Sequence, residues 1–137
     1  MSSILLIDDD HDLRIILTEL LRSAGHTVDT ASDGKTGLAL YRAGLHDLVI
    51  TDIMMPDMDG LELIDDLRKA QTRPRIIAMS GASKVALPFY LSNARQIGAQ
   101  RVLAKPIDSD VLLQTVTAVL AEAAPAPFIR RPSTNSL

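Results

Sequence analysis

The feature that most constrains this chain is a strict alternation of short apolar runs with helix-length amphipathic segments. Ile4–Ile7, Leu48–Ile50 and Ile76–Met79 are continuously apolar, the pattern of strands buried on both faces. Thr27-Val28-Asp29-Thr30-Ala31 alternates instead, as suits a strand at a sheet edge, and Arg101-Val102-Leu103-Ala104 is short and reads as the other edge. Between the first two runs, Leu13, Ile16, Leu17, Leu20 and Leu21 repeat at the spacing of one buried helix face, with Gly25 just beyond its end. A second helix opens at Asp33-Gly34, runs to about Ala43 and stops at Gly44. Leu61, Ile64 and Leu67 mark a third after Asp59-Gly60, and a fourth is expected between Lys84 and Ile97, closed by Gly98. Leu112, Val116, Val119 and Leu120 mark the last, with Asp108 or Ser109 as its N-cap.

Strand–helix alternation implies a parallel sheet with helices on both faces, because parallel neighbours need crossover connections. Three apolar runs in the middle and two weaker ones fit an α/β doubly wound, five-stranded parallel sheet of order 2-1-3-4-5. The functional crevice of such a sheet lies beyond the carboxyl ends of the strands, near the switch between the first and third.

With 137 residues the chain suits one domain with a real core. The expected limits are 1–122, followed by a disordered tail at 123–137, where prolines and small residues replace any periodicity. The absence of cysteine excludes disulfides, thiolate metal sites and cysteine nucleophiles. A net charge of −3 argues against a broad nucleic-acid footprint. The N-terminal run ends in acids after four apolar residues and has no basic region, so a strand rather than a signal peptide is expected. No stretch approaches the roughly 20 apolar residues of a membrane span, and the expected location is cytoplasmic.

The carboxyl ends of the strands carry the chemistry. The first strand runs into Asp8-Asp9-Asp10 and the third into Asp52, so three or more carboxylates converge between adjacent central strands. A single strand-end Asp is often a helix cap, and Asp10 is expected to cap the first helix. Acids on two adjacent strands are not explained by capping. Their repulsion calls for a divalent cation, and an all-oxygen donor set suits magnesium. The fourth strand adds Ser80 and the fifth adds Lys105 to the same edge. A cation site, a carboxylate, a hydroxyl and a fixed ammonium together form a phosphoryl-transfer constellation.

Leu6-Ile7-Asp8-Asp9, Thr51-Asp52-Ile53-Met54-Met55-Pro56-Asp57-Met58-Asp59-Gly60, Met79-Ser80-Gly81-Ala82 and Ala104-Lys105-Pro106-Ile107 appear in order at the strand ends. With them the chain resembles the receiver domain of two-component response regulators, in its stand-alone form, over Ser3–Ala121. The resemblance implies a flavodoxin-like fold and a role as phosphoacceptor. Asp52 would take the phosphoryl group from a phosphohistidine on a sensor histidine kinase or a histidine phosphotransfer protein. Asp9, Asp52 and the backbone carbonyl of Met54 would ligate magnesium, and Asp8 would hold a coordinated water. Lys105 would pair with the phosphoryl oxygens, Ser80 would hydrogen-bond to one of them, and the Lys105–Pro106 bond would be cis. Magnesium and Lys105 would balance the three negative charges of Asp8, Asp9 and Asp52. Output would pass through contact with an unidentified downstream protein.

Two departures stand out. Val102 occupies the position, three before the lysine, where the family commonly carries an aromatic. The segment between Ser80 and Lys105 is also longer than usual and holds Phe89 and Tyr90, read either as ordinary packing or as part of a partner surface. Met54 and Ala82 flank the path of an attacking water without an acid or amide to orient it, so slow to moderate self-dephosphorylation is expected. Asp57 and Asp59 read as solvated loop acids, and His11, His26 and His46 as surface or capping residues. Two other readings remain open: a magnesium-dependent aspartyl-phosphate phosphohydrolase, disfavoured by Met54, and an adaptor that binds partners without phosphorylation.

Overall fold

The computed structural model describes residues 2–55, 60–70, 72, 74–81 and 98–122. Five parallel strands, β1 (Ser3–Ile7), β2 (Thr27–Ala31), β3 (Leu48–Asp52), β4 (Arg75–Ser80) and β5 (Arg101–Ala104), form one sheet in the order β2-β1-β3-β4-β5. The described helices are α1 (His11–Ser23), α2 (Gly34–Gly44), α3 (Gly60–Lys69) and α4 (Ser109–Ala121). The helix expected between Lys84 and Ile97, the loop acids Asp57 and Asp59, Phe89 and Tyr90, and the expected tail lie outside the described residues. No described helix is long and apolar enough to cross a membrane.

The period of two along the central strands sorts their side chains into two cores. Ile4 and Leu6, Leu48 and Ile50, and Ile77 and Met79 face α1 and α4, meeting Leu17, Leu21, Leu112 and Val116. Leu5 and Ile7, Val49, and Ile76 and Ala78 face α2 and α3, meeting Leu38, Tyr41, Leu63 and Leu67. Burying each of the Leu, Ile, Val and Met side chains among them is worth about 1.5–3 kcal/mol. The central strands are apolar between their ends because neither of their faces meets water. The edges differ: three of the five residues of β2 are exposed, and β5 is only partly buried.

Local chemistry sets the helix ends. Asp10 caps α1 by accepting the Leu13 N–H at 3.1 Å, and Asp108, not Ser109, caps α4 by accepting the Val111 N–H at 3.0 Å. Asp33 caps α2, and the Thr36 N–H holds its carboxyl below the usual range. At the end of α1 the Gly25 N–H bonds to the Arg22 carbonyl and the His26 N–H to the Leu21 carbonyl, a Schellman closure that needs the φ of +98° at Gly25.

Two readings of the sequence need correction. Ile16 does not belong to the buried face of α1; it is exposed, and Thr18 is buried in its place. The buried stripe is centred on Leu17 and Leu21, and at 100° per residue Ile16 falls past its margin while Thr18 stays within the other side. The second helix stops at Gly44, as expected, and the left-handed residue after it is Leu45, with φ 49°. Gly44 is small for another reason: a Cβ there would come within 3.0 Å of the His46 ring. His46 itself is buried, not a surface residue, and its Nε2 lies 2.7 Å from Asp29 Oδ2.

Candidate functional site

At the carboxyl edge, register carries the chain ends to one place. Ile7 pairs with Thr51 across β1 and β3, Asp52 with Met79 across β3 and β4, and Ser80 with Ala104 across β4 and β5. The residues that follow Ile7 and Ala104, together with Asp52 and Ser80 themselves, must therefore converge. Asp8 is fully buried, Asp52 is 4% exposed and Ser80 is 1% exposed. Asp9 is exposed at the rim, yet carboxylate oxygens of Asp8, Asp9 and Asp52 all lie within 4.8 Å of one another.

Short-range bonds hold the acids. Asp8 Oδ1 accepts the Asp10 N–H at 2.9 Å and Asp52 Oδ1 accepts the Met54 N–H at 3.0 Å, both turns of the kind aspartate forms with the residue two positions on. Lys105 Nζ sits between the second oxygens. It donates to Asp52 Oδ2 at 2.9 Å and lies 2.9 Å from Asp8 Oδ2, although no donor is aligned on that buried oxygen. The backbone of Lys105 is tied to β4 by its N–H to the Ser80 carbonyl, 2.8 Å, and the Lys105–Pro106 bond is cis, as expected.

These contacts tune the charges in opposite ways. Burial pushes the Asp52 carboxyl above the ordinary range, against the hydrogen bonds from Lys105 and Met54; the charge of Asp8 adds to the rise. For Lys105, burial is the largest single influence and favours loss of the proton. The close contacts to Asp52 and Asp8 and the charges of both together outweigh it, and the ammonium is held more firmly than usual. Among the described residues three carboxylates face one ammonium, which leaves two negative charges unbalanced. The donor set is all oxygen, and the buried Asp8 Oδ2 has lone pairs that no aligned donor uses. That set fits a hard divalent cation.

The sequence model of the response regulator receiver domain matches residues 4–117. The chain belongs to the response regulator receiver family. Among similar proteins, the transcriptional regulatory protein GlrR of Escherichia coli is 36% identical over 90% of this chain, which spans only 27% of GlrR. Protein PilH of Pseudomonas aeruginosa is 36% identical over 88% of this chain and is itself 99% covered. The response regulator TrrA of Thermotoga maritima, solved in complex with magnesium and BeF, superposes with a TM-score of 0.77 at 32% identity, over 87% of this chain and 99% of that one. Other curated relatives are also longer; the receiver spans about half of several of them.

Asp8, Asp9, Asp52, Ser80 and Lys105 thus share one edge of the receiver. Met54 is half exposed beside them, with its N–H turned to Asp52. Val102 is partly buried against the core on the α2–α3 side. Ala82 lies outside the described residues. Sequence reasoning missed Arg14, whose Nη1 donates to the Asp8 carbonyl at 2.7 Å. Its only signal is a basic residue one turn into the helix that follows the acids.

Proposed function

We propose that this receiver is a phosphoacceptor of a two-component or phosphorelay system and that Asp52 takes the phosphoryl group. The observation that carries this reading is the single ammonium of Lys105 set between the buried carboxylates of Asp52 and Asp8. In the transfer, a carboxylate oxygen of Asp52 attacks the phosphorus of a phosphohistidine, the P–N bond breaks, and the imidazole leaves with the electron pair. No general base is needed, because the nucleophile is a carboxylate rather than a hydroxyl; the Lys105 ammonium and the Met54 N–H oppose, without outweighing, the rise that burial gives its pKa.

Asp9, Asp52 and the Met54 carbonyl would hold magnesium, with Asp8 holding one of its waters. Magnesium would supply positive charge to the phosphoryl oxygens during transfer. Lys105 would release one carboxylate contact and turn to a phosphoryl oxygen, and the Ser80 hydroxyl would donate to another. The donor is a sensor histidine kinase or a histidine phosphotransfer protein, and the output is contact with a further protein. The exposed thioether of Met54 offers no acid or amide to orient water, which supports a slow to moderate loss of the phosphoryl group.

Incubation with acetyl phosphate and magnesium, followed by intact mass, tests the proposal. The wild-type chain is expected to gain one phosphoryl group and Asp52→Asn none. No gain in the wild type, or an equal gain in the variant, contradicts it.

A further inference from the structure

At the acidic edge the two adjacent acids of the first strand end are held very differently. Asp8 has a partner at its N–H, at its carbonyl and at both carboxylate oxygens. Its N–H donates to the Ala31 carbonyl at 3.1 Å, its Oδ1 accepts the Asp10 N–H at 2.9 Å, and its Oδ2 lies 2.9 Å from Lys105 Nζ. Its carbonyl accepts Arg14 Nη1 at 2.7 Å. Asp9 is exposed, and among the described residues no hydrogen bond reaches it. A carboxylate oxygen of Asp9 nevertheless lies within 4.8 Å of those of Asp8 and Asp52.

What places Asp9 is the peptide bond before it. A peptide unit is planar, so holding the Asp8 oxygen also holds the Asp9 nitrogen and Cα. Arg14 does that holding. It sits one turn into α1, and its own N–H donates to the Asp10 carbonyl at 3.0 Å. Its side chain reaches back toward the helix N-terminus, as helical side chains lean, and so ties α1 to the turn that precedes it. Arg14 Nη2 also lies 3.3 Å from His11 Nδ1, a second hold on the same guanidinium. Arg22 makes the same kind of bond, to the Val28 carbonyl at 3.1 Å. It does so about 12 Å further along the helix axis, away from the acids.

We propose that Arg14 is a positioning residue for the divalent cation: by holding the Asp8–Asp9 peptide, it keeps the Asp9 carboxylate turned toward Asp52. This role presupposes that Asp9 ligates magnesium. Contacts that hold a ligand, rather than the metal itself, commonly govern metal affinity. Charge alone has the opposite sign. A guanidinium beside a cation site repels the cation, so removing it for its charge would tighten magnesium binding. Removing a positioning residue weakens it.

The test is an amide NMR titration of the full, unphosphorylated chain with magnesium chloride at constant ionic strength, with urea unfolding of each variant in parallel. Arg14→Met should bind magnesium about tenfold more weakly than the wild type while staying folded. Arg14→Lys keeps an ammonium donor and should fall between the two. Arg22→Met loses the equivalent bond at the other end of α1 and should bind magnesium as the wild type does. Should Arg14→Met fold poorly, Arg14→Gln, too short to reach the carbonyl, takes its place with the same expected loss. Magnesium binding in Arg14→Met or Arg14→Gln as tight as in the wild type or tighter, no recovery in Arg14→Lys, or an equal loss in Arg22→Met would each overturn the proposal. A wild-type chain that binds no magnesium would instead overturn the reading of Asp9 as a ligand, and the role of Arg14 with it.

Discussion

The two ends of the sheet treat their charges differently. At the amino end, charged and polar side chains meet partners one to one. Asp29 meets His46, the Glu122 carboxylate meets Arg101, Arg75 donates to the Glu122 carbonyl at 2.6 Å, and the Asp47 carboxylate takes the Ser3 N–H at 2.9 Å. At the carboxyl end, Asp8, Asp9 and Asp52 share one ammonium. One end stabilises the chain as it stands. The other holds more negative than positive charge among the described residues, an imbalance that a divalent cation can relieve.

Removing the ammonium at the unbalanced end breaks the contrast most severely. Lys105→Met leaves two buried carboxylates facing each other, and a cost of about 2–3 kcal/mol is expected once the partial exposure of the lysine is allowed for. Urea unfolding measures this, and magnesium should recover most of the loss. If the variant were as stable as the wild type without metal, Lys105 would not be the group holding those acids together.

At the matched end, His46→Ala should cost about 1–2 kcal/mol through the lost ring and the lost bond to Asp29. Phosphorylation from acetyl phosphate should be unaffected. A changed phosphorylation rate would show that the two ends are coupled.

The smallest effect has the opposite sign. The Asp52 carboxyl is raised in the folded chain, chiefly by burial. The folded state therefore holds this proton more tightly than the unfolded one, and ionising Asp52 lowers stability as pH rises through the acid range. Asp52→Asn removes that penalty. Without metal, the variant should melt about 2–5 °C above the wild type at neutral pH, and the gap should close as pH falls below about 4. A lower melting temperature for Asp52→Asn at neutral pH would mean that the Lys105 contact outweighs burial.

The contrast between the ends also marks what the sequence makes legible. Strands apolar on both faces can only be central in a covered parallel sheet, and parallel order brings every strand's last residue to one edge. Asp8, Asp52, Ser80 and Lys105 could therefore be placed together before any coordinate. The amino end follows no such rule. His46 is a lone histidine ahead of a strand, and nothing local tells that Gly44 leaves room for its ring or that Asp29, on another strand, will meet it. Ile16 and Thr18 show a second limit. The apolar repeat locates the helix, but the angle of its buried stripe depends on how α1 lies over β1 and β2. Arg14 shows a third: its partner is a backbone carbonyl, which has no signature in the sequence.

The central claim is that the phosphoryl group goes to Asp52 and to no other acid of the cluster. Borohydride reduction of the phosphorylated chain converts an aspartyl phosphate to homoserine, and peptide mass mapping then reads the position. Homoserine at residue 52, formed only after incubation with acetyl phosphate and magnesium, is the result predicted here. Homoserine at Asp8, Asp9 or any other acid, with Asp52 unchanged, would contradict it.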